Sequence, residues 1–394
     1  MSDQGRVAEV FGAFLKLGLT SFGGPIAHLG YFRDELVTRR KWLSDAAYGD
    51  LVALCQFLPG PTSSQIGFAL GMMRGGWGGA LAAFLAFTLP SAILLLVLAL
   101  TAARLDGVLA QGMLHGLKIV AVAIVAQAVW GMAKSLCPDR ARAAIAVGAM
   151  FVLALAPGAI AMICAIVLGA LAGLGLRRGK PGQGATLALP VTPRAGVAAL
   201  AVFALLLATL PLLAGLGPGM AMVDGFYRSG ALVFGGGHVV LPLLETEMVA
   251  TGRVGQDAFL AGYGAAQAVP GPLFTFAAWL GAVMELPPNG VPGAVIALLA
   301  LFLPGFLILI GVLPFWDRLR PRAWAQSAMQ GANAAVVGIL AVALYDPVFT
   351  TAITGKADLA LAAACFVALV MGRAAPWAVV LIAALGGAAI KGYL

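Results

Sequence analysis

The sequence predicts an all-α polytopic membrane protein made of two homologous halves in an inverted repeat, with about ten to thirteen membrane segments, some of them broken or re-entrant. Of its 394 residues, 61% are hydrophobic and only 10% are charged, and the mean hydropathy is +0.99. Apolar stretches of about 20 residues, the length of a membrane span, recur along the chain, as at 78–103, 195–213 and 291–313. This composition excludes a soluble core with a polar surface.

The formal net charge of +8 comes from Lys and Arg residues that stand mainly in short loops between apolar segments. That pattern orients membrane proteins, so we predict no nucleic-acid partner and a place in the cell inner (cytoplasmic) membrane. Residues 1–9 run directly into an apolar segment without a small-residue cleavage pattern, and we expect that segment to be retained. The cysteines stand singly and predict neither a disulfide framework nor a zinc site: Cys55, Cys137, Cys164 and Cys365.

An internal repeat organises the chain. Seven features of the N-terminal half recur in the same order in the C-terminal half. The aligned pairs are Gly18 with Gly230, Phe22-Gly23-Gly24 with Phe234-Gly235-Gly236, Glu35 with Glu247, Gln56 with Gln267, Pro59-Gly60-Pro61 with Pro270-Gly271-Pro272, Pro90 with Pro304, and Gly116 with Gly331. We place the first repeat at 10–176, a basic linker with one connecting membrane helix at 177–221, and the second repeat at 222–394. Six segments, one connecting segment and six more make thirteen.

An odd number of segments before the second repeat inverts it relative to the first. The positive-inside rule then favours a cytoplasmic N-terminus, with one exception in the basic loop at 33–41. If the Gly-rich segment and the Pro-Gly-Pro segment of each half enter the membrane and return on the same side, that loop moves to the cytoplasmic face. We therefore favour re-entrant segments at these positions.

The Gly and Pro breaks are the candidate binding elements, because a break inside an apolar run leaves backbone groups unpaired and exposes helix N-termini that suit a small anion. The candidate substrate-binding residues of the first half are Thr20, Ser21, Gly23, Gly24, Pro25, Gln56, Pro59, Gly60, Pro61, Thr62 and Ser63. Those of the second half are Gly235, Gly236, Gly237, His238, Gln267, Pro270, Gly271 and Pro272. The alternative is that the glycines only allow close helix packing, as in the Gly71, Gly75, Gly79 series.

Two cations occupy equivalent repeat positions inside apolar segments, Lys16 and Arg228, and we add both to the substrate-binding set. A cation there faces a partner or a polar path, or else it snorkels to the interface. Further pathway or gating candidates are His28, Arg33, Glu35, Lys118, Glu247 and Asn333, of which Lys118 and Asn333 are repeat equivalents. The histidines lack a third ligand nearby, so we predict no metal site, and we predict no cofactor and no catalytic residues.

Three motifs resemble the chromate ion transporter family in its long, two-domain form: Phe22-Gly23-Gly24-Pro25, the loop Arg39-Arg40-Lys41-Trp42-Leu43 and the Gln56 to Pro61 turn. In the second half, Phe234 to His238 and Gln267 to Pro272 resemble the signature of the family's second domain. The resemblance implies efflux of chromate, with sulfate as the isosteric competitor, and chromate resistance. Gly237 replaces the proline found at Pro25, so the two sites need not be equivalent. Oligomeric state is left open by the sequence, a homodimer included.

Membrane potential alone favours export of a dianion, since one charge moved through 100 mV is worth ~2.3 kcal/mol. No phosphate-binding loop is visible, and proton coupling through Glu35 or Glu247 stays open. The alternatives are sulfate or general anion uptake or exchange, a membrane-embedded enzyme acting on lipid-linked phosphate, and a structural subunit. The enzyme is disfavoured because the sequence clusters neither acids nor histidines, and the subunit because breaks at matching positions destabilise a passive scaffold.

Overall fold

The computed structural model describes residues 3–102, 107–156, 158–177, 179, 190–234 and 236–393, and all regular structure within these ranges is helical. The first half contains α1 (Asp3–Thr20), α2 (Gly24–Phe32), α3 (Asp45–Phe57), α4 (Thr62–Ala102), α5 (Val108–Leu136), α6 (Arg140–Leu155) and α7 (Ala159–Leu176). A single helix, α8 (Pro193–Leu213), joins it to the second half.

The second half repeats this order with more interruptions. Its helices are α9 (Pro218–Ala231), α10 (Val240–Leu244), α11 (Gln256–Ala268), α12 (Phe276–Ala282), α13 (Gly290–Val312), α14 (Trp316–Leu319), α15 (Ala323–Ala343), α16 (Thr350–Ala352), α17 (Lys356–Val370) and α18 (Pro376–Tyr393). Short 3-10 turns open two of its segments, Gly237–Val239 before α10 and Leu273–Thr275 before α12.

Six helical stretches among the described residues are long and apolar enough to cross a membrane: Thr62–Ala102, Val108–Leu136, Ala159–Leu176, Pro193–Leu216, Gly290–Leu319 and Ala323–Ala352. The connecting stretch that contains α8 buries only 11% of its most apolar window against the rest of the protein. Its exposed surface is nevertheless apolar, with Val197 and Leu205 more than half exposed. Such a surface is stable in lipid and not in water, so this is a multi-pass membrane protein.

The Gly-rich segment of the first half is a re-entrant hairpin. The chain turns at Gly23 and Gly24, whose φ angles of +97° and +78° are ones that glycine adopts without strain. It then returns beside α1, because Glu35 reaches Lys16 and the Trp42 indole donates to Glu9 near the start of α1 (Nε1 to Oε1, 3.1 Å). The predicted re-entrant form of this segment is confirmed.

The Pro-Gly-Pro segment forms a second hairpin beside the first. Helix α3 leads to the turn at Gly60, and the first arm of α4, residues 62–74, leads back. At Gly75 and Gly76 the backbone leaves helical geometry next to Val7, at the same end of α1 from which α3 began. The second arm, residues 77–102, then runs the other way. Gly71 and Gly79 face each other across this turn, which is the close-packing role that the glycine series also predicted.

Both hairpins recur in the second half. Arg228 on α9 lies 3.4 Å from Glu247 (Nη1 to Oε1), beyond the Gly-rich break, so the chain has turned back along α9. The Trp279 indole on α12 donates to the Ala258 carbonyl at the start of α11 (3.0 Å), so the second Pro-Gly-Pro segment also returns.

Helix directions establish that the two halves are inverted. Helix α5 packs antiparallel to α18, with Gly112 against Ala388 and Gly116 against Ala383. Helix α15, the repeat counterpart of α5, packs antiparallel to α7, with Gly169 against Ala335 and Gly173 against Ser327. Because α5 and α7 are separated by the single helix α6, they run in the same direction. Helix α15 therefore runs opposite to α5, and the inverted repeat is confirmed.

The interface between the halves contains an aromatic cluster. Phe68 and Phe84 on the two arms of α4 contact Phe306 of α13, with ring centroids 4.6 and 5.0 Å apart, and Phe84 also contacts Phe302. These rings are buried and pack in stacked, tilted and edge-on arrangements. They hold α4 and α13 together directly beside the tips of the re-entrant hairpins.

Candidate functional site

The hairpin tips of the two halves are joined by a reciprocal pair of backbone hydrogen bonds. The Gly60 amide donates to the Val233 carbonyl (2.8 Å), and the Gly271 amide donates to the Ser21 carbonyl (2.9 Å). Gly60 and Gly271 are repeat equivalents, as are Val233 and Ser21. Each Pro-Gly-Pro turn therefore binds the Gly-rich break of the other half, and four predicted elements converge in one place.

Each Pro-Gly-Pro glycine also packs against the proline-containing helix of the other half. A Cβ at Gly60 would lie 2.9 Å from the Gly305 Cα on α13, and a Cβ at Gly271 would lie 2.7 Å from the Ser91 Oγ on α4. The Gln65 amide secures the first contact by donating to the carbonyls of Pro59 and Gly305, both at 2.9 Å. Only glycine allows this approach, since φ is also +120° at Gly60 and +108° at Gly271.

The two Gly-rich breaks face each other. A Cβ at Gly24 would lie 3.8 Å from the His238 Nε2, while His238 Nδ1 is 2.8 Å from the Tyr263 hydroxyl. Gly236 and Gly237 precede His238 in the same break, and Gly235 lies outside the described residues. Gly237 opens a 3-10 turn, whereas the first-half break opens α2 directly at Gly24, with Pro25 in its first turn. The replacement of proline by Gly237 thus coincides with a different local structure.

Lys16 and Arg228, the two cations at equivalent repeat positions, are each bound by carboxylates of their own half. Lys16 Nζ lies 2.7 Å from Glu35 Oε2, and Arg40 Nε lies 3.0 Å from the other oxygen of the same carboxylate. In the second half, Arg228 pairs with Asp224 and, at 3.4 Å, with Glu247, the repeat equivalent of Glu35. Each of the two repeat-equivalent cations therefore contacts a predicted gating carboxylate of its own half.

The other predicted residues take varied positions. Thr20 is exposed and donates to the Lys16 carbonyl, Gln56 is exposed on α3, and Thr62 makes a long contact with the Cys55 carbonyl (3.4 Å). The remaining members near the tips are buried or half-buried: Ser21, Pro59, Pro61, Ser63, Gln267, Pro270 and Pro272. Most of the candidate set thus surrounds the tips, while Thr20 and Gln56 turn away from the protein core.

Of the pathway and gating candidates, Arg33 and Lys118 form ion pairs away from the tips. Arg33 makes a two-point contact with Asp45 (2.7 and 3.0 Å), and this hydrogen-bonded cation lowers the pKa of the exposed Asp45 carboxyl. Lys118 binds Asp257 of α11 (2.8 Å) and lines a cavity of about 420 Å³. His28 and the side-chain oxygen of Asn333 are buried.

Two buried polar clusters between the halves were missed by the sequence interpretation. Asp50 on α3 accepts from Arg320 (2.7 Å) and from the Trp316 indole (3.3 Å). His115 on α5 contacts the Asp358 carboxylate at the start of α17 (2.9 Å). The partners within each cluster lie more than two hundred residues apart in the chain, so no local spacing in the sequence indicates their contact.

Comparison with known proteins agrees with this architecture. The family model described as chromate transporter matches residues 8–174 and 220–388, one match in each half. The chain is 29% identical to the chromate transport protein of Pseudomonas aeruginosa, over 87% of this chain and 82% of that protein. It is 28% identical to the chromate transport protein of Cupriavidus metallidurans, over 83% and 79% respectively.

A further relative matches a shorter part of the chain. The uncharacterized transporter YwrA of Bacillus subtilis is 38% identical over 89 residues, which are 23% of this chain and 50% of that protein. No solved structure matches the chain. Both repeats match the same family of transporters. The chain belongs to the chromate transporter family.

Proposed function

We propose that this protein exports chromate from the cytoplasm across the inner membrane, that sulfate competes for the same site, and that the cell gains chromate resistance. The observation that carries the proposal is the junction at which each Pro-Gly-Pro turn binds the Gly-rich break of the other half. A site shared by two inverted halves suits a substrate that must be reached from either side of the membrane.

The chemistry of the junction fits a tetrahedral divalent oxyanion, which accepts hydrogen bonds and donates none. Helices α2 and α4 begin at the tips, so their first N–H groups are available to an anion. Lys16 and Arg228 are held nearby by carboxylates. Protonation of Glu35 or Glu247 would weaken that hold, which gives a route to proton coupling in addition to the membrane potential.

The driving force is sufficient without ATP. A dianion that leaves an inside-negative cell through 100 mV gains about 4.6 kcal/mol, which sustains a concentration ratio of about 10³. The proposed orientation has the N-terminus in the cytoplasm, since the re-entrant hairpins bring the basic loop that contains Arg39, Arg40 and Lys41 to the N-terminal side.

Uptake of chromate into everted inner-membrane vesicles tests this function directly. Vesicles that contain the protein should accumulate chromate when an inside-positive potential is imposed, and excess sulfate should inhibit the accumulation. Vesicles from cells without the protein provide the baseline. Accumulation only in right-side-out vesicles would show that the protein takes chromate up instead of exporting it. No accumulation in either orientation would refute the transport of chromate.

Neutralising the paired cations should slow transport. We expect Lys16→Gln and Arg228→Gln each to reduce the initial rate of chromate uptake about 10-fold or more, because an anion loses an ionic contact worth roughly 1.5–3 kcal/mol. Arg142→Gln is the matched control, since Arg142 pairs with Asp139 within the first turn of α6, away from the tips. Rates equal to the wild type in both variants, at equal expression, would reassign Lys16 and Arg228 to interfacial snorkelling.

A further inference from the structure

Four buried polar side chains of the first half, one of them Ser64, have no hydrogen-bond partner among the described residues, and three of the four are at most 1% exposed. These three are Ser21, His28 and Thr88, with relative exposures of 0%, 0% and 1%. The Ser21 and Thr88 hydroxyls and both ring nitrogens of His28 make no hydrogen bond of good geometry. Since buried polar groups are usually paired, a group of unpaired ones indicates a ligand or a second conformation that satisfies them.

All three belong to the tip region of the first half. Ser21 is the residue whose carbonyl accepts the Gly271 amide. The His28 ring is close enough to the Ser21 backbone for a weak hydrogen bond, although not one of good geometry, and it lies 5.5 Å from the Phe87 ring. Thr88 is the next residue on α4. The α4 backbone at Phe87 also approaches Gly271. The unpaired groups therefore surround the contact between the first Gly-rich break and the second Pro-Gly-Pro turn.

The second half carries apolar side chains at all three equivalent positions. Val233 precedes its Gly-rich break as Ser21 precedes the first, Val240 follows the break as His28 does, and Phe302 stands two residues before Pro304 as Thr88 stands before Pro90. These three side chains are also buried, with exposures of 1%, 0% and 1%. The fold therefore accepts a wholly apolar set here, and the polar set of the first half is not a requirement of packing.

We propose that the two halves carry one anion site, not two, and that Ser21, His28 and Thr88 of the first half contact the oxyanion directly. This inference rests on the proposed function and specifies its site. Two hydroxyls and a ring N–H supply donors to an acceptor-only ligand. Helix α2, nine residues long and continued by the π-helical turn Arg33–Arg39, adds its N-terminal amides, whereas the equivalent segment of the second half begins with a 3-10 turn that leads into the five-residue helix α10.

Equilibrium binding of radiolabelled sulfate and of chromate to the purified full-length protein in nanodiscs tests the inference. We expect one anion per chain. Ser21→Ala and Thr88→Val should each weaken binding about 10-fold or more, since each removes a hydrogen bond to a charged ligand. Thr209→Val is the matched control, because it deletes a hydroxyl on α8, outside both repeats. His28→Val, which copies the second half, should weaken binding as well.

Thermal unfolding without anion separates a ligand-contacting role from a structural one. Removal of an unpaired hydroxyl by the isosteric change Thr88→Val should leave the unfolding temperature unchanged or raise it, whereas loss of a structural hydrogen bond would lower it. Two anions per chain, wild-type affinity in the Ser21→Ala, Thr88→Val double variant, or no binding of either anion would each overturn the inference. Anion binding of the expected stoichiometry without transport in vesicles would instead refute the proposed function alone.

Discussion

Gly60→Ala is expected to abolish chromate transport while the protein still reaches the membrane. At φ +120° a Cβ is strained, at a cost of roughly 1–3 kcal/mol. The new methyl would lie 2.9 Å from both the Gln65 Nε2 and the Gly305 Cα, closer than carbon atoms pack. The tip must therefore move away from α13, and its amide loses the Val233 carbonyl. Initial rates in everted vesicles measure the effect, for which we expect at least a 100-fold loss, equivalent to about 2.8 kcal/mol.

Gly12→Ala is the matched control for this change. Gly12 lies within α1, its φ angle is ordinary, and nothing lies within 4 Å of the position of a new Cβ. Alanine favours a helix over glycine by up to about 1 kcal/mol, so this variant should transport normally and unfold at the same or a higher temperature. If Gly60→Ala transported as fast as Gly12→Ala, the contact between the tip and α13 would have no part in transport.

Asp358→Ala is expected to produce the largest loss of stability among single carboxylate replacements. The Asp358 side chain is buried, contacts His115, and accepts hydrogen bonds from the Thr354 amide, the Thr354 hydroxyl and the Gly355 amide. Alanine leaves these groups unpaired at the start of α17 and removes the link to α5. By analogy with broken buried pairs and lost helix caps, we expect a decrease in the free energy of unfolding of about 3–5 kcal/mol.

Asp257→Ala provides the comparison, because Asp257 also contacts α5, through Lys118, but its side chain is 75% exposed. An exposed ion pair contributes about 0–1 kcal/mol, so this variant should unfold close to the wild-type temperature. Thermal unfolding in detergent, followed by circular dichroism, measures both variants. Equal unfolding temperatures for the two would mean that burial and capping of Asp358 contribute nothing to the stability of the second half.

The architecture was predictable because it depends on signals that are local in the sequence. Glycine and proline inside apolar runs mark the breaks, and their recurrence at equivalent positions marks the repeat. The basic loop near Arg39 and Arg40 indicated the re-entrant hairpins, since only a returning chain brings it to the same side as the other basic loops. The connecting helix α8 then inverts the second half.

Side-chain partners in the candidate site were less predictable. The sequence identified Lys16 and Glu35 separately, but their pairing depends on the angle at which α2 returns along α1. The contact between His115 and Asp358 joins elements 243 residues apart, and a histidine and an aspartate at that separation carry no periodic signal. The alignment of the repeat already places Ser21 opposite Val233, a polar residue opposite an apolar one. Only the structure shows that both side chains are buried, which makes the difference relevant to a binding site.

The reciprocal hydrogen bonds at the tips limit how this fold can be divided. Gly60 has its acceptor in the second half and Gly271 has its acceptor in the first, so neither repeat contains a complete junction. A polypeptide with one repeat would regain the missing partner only from a second polypeptide inserted with the opposite orientation in the same bilayer. Half-length chains can therefore build this junction only if they insert into the membrane in both orientations. In the two-repeat chain, α8 links the halves covalently in opposite orientations, so a single insertion is enough.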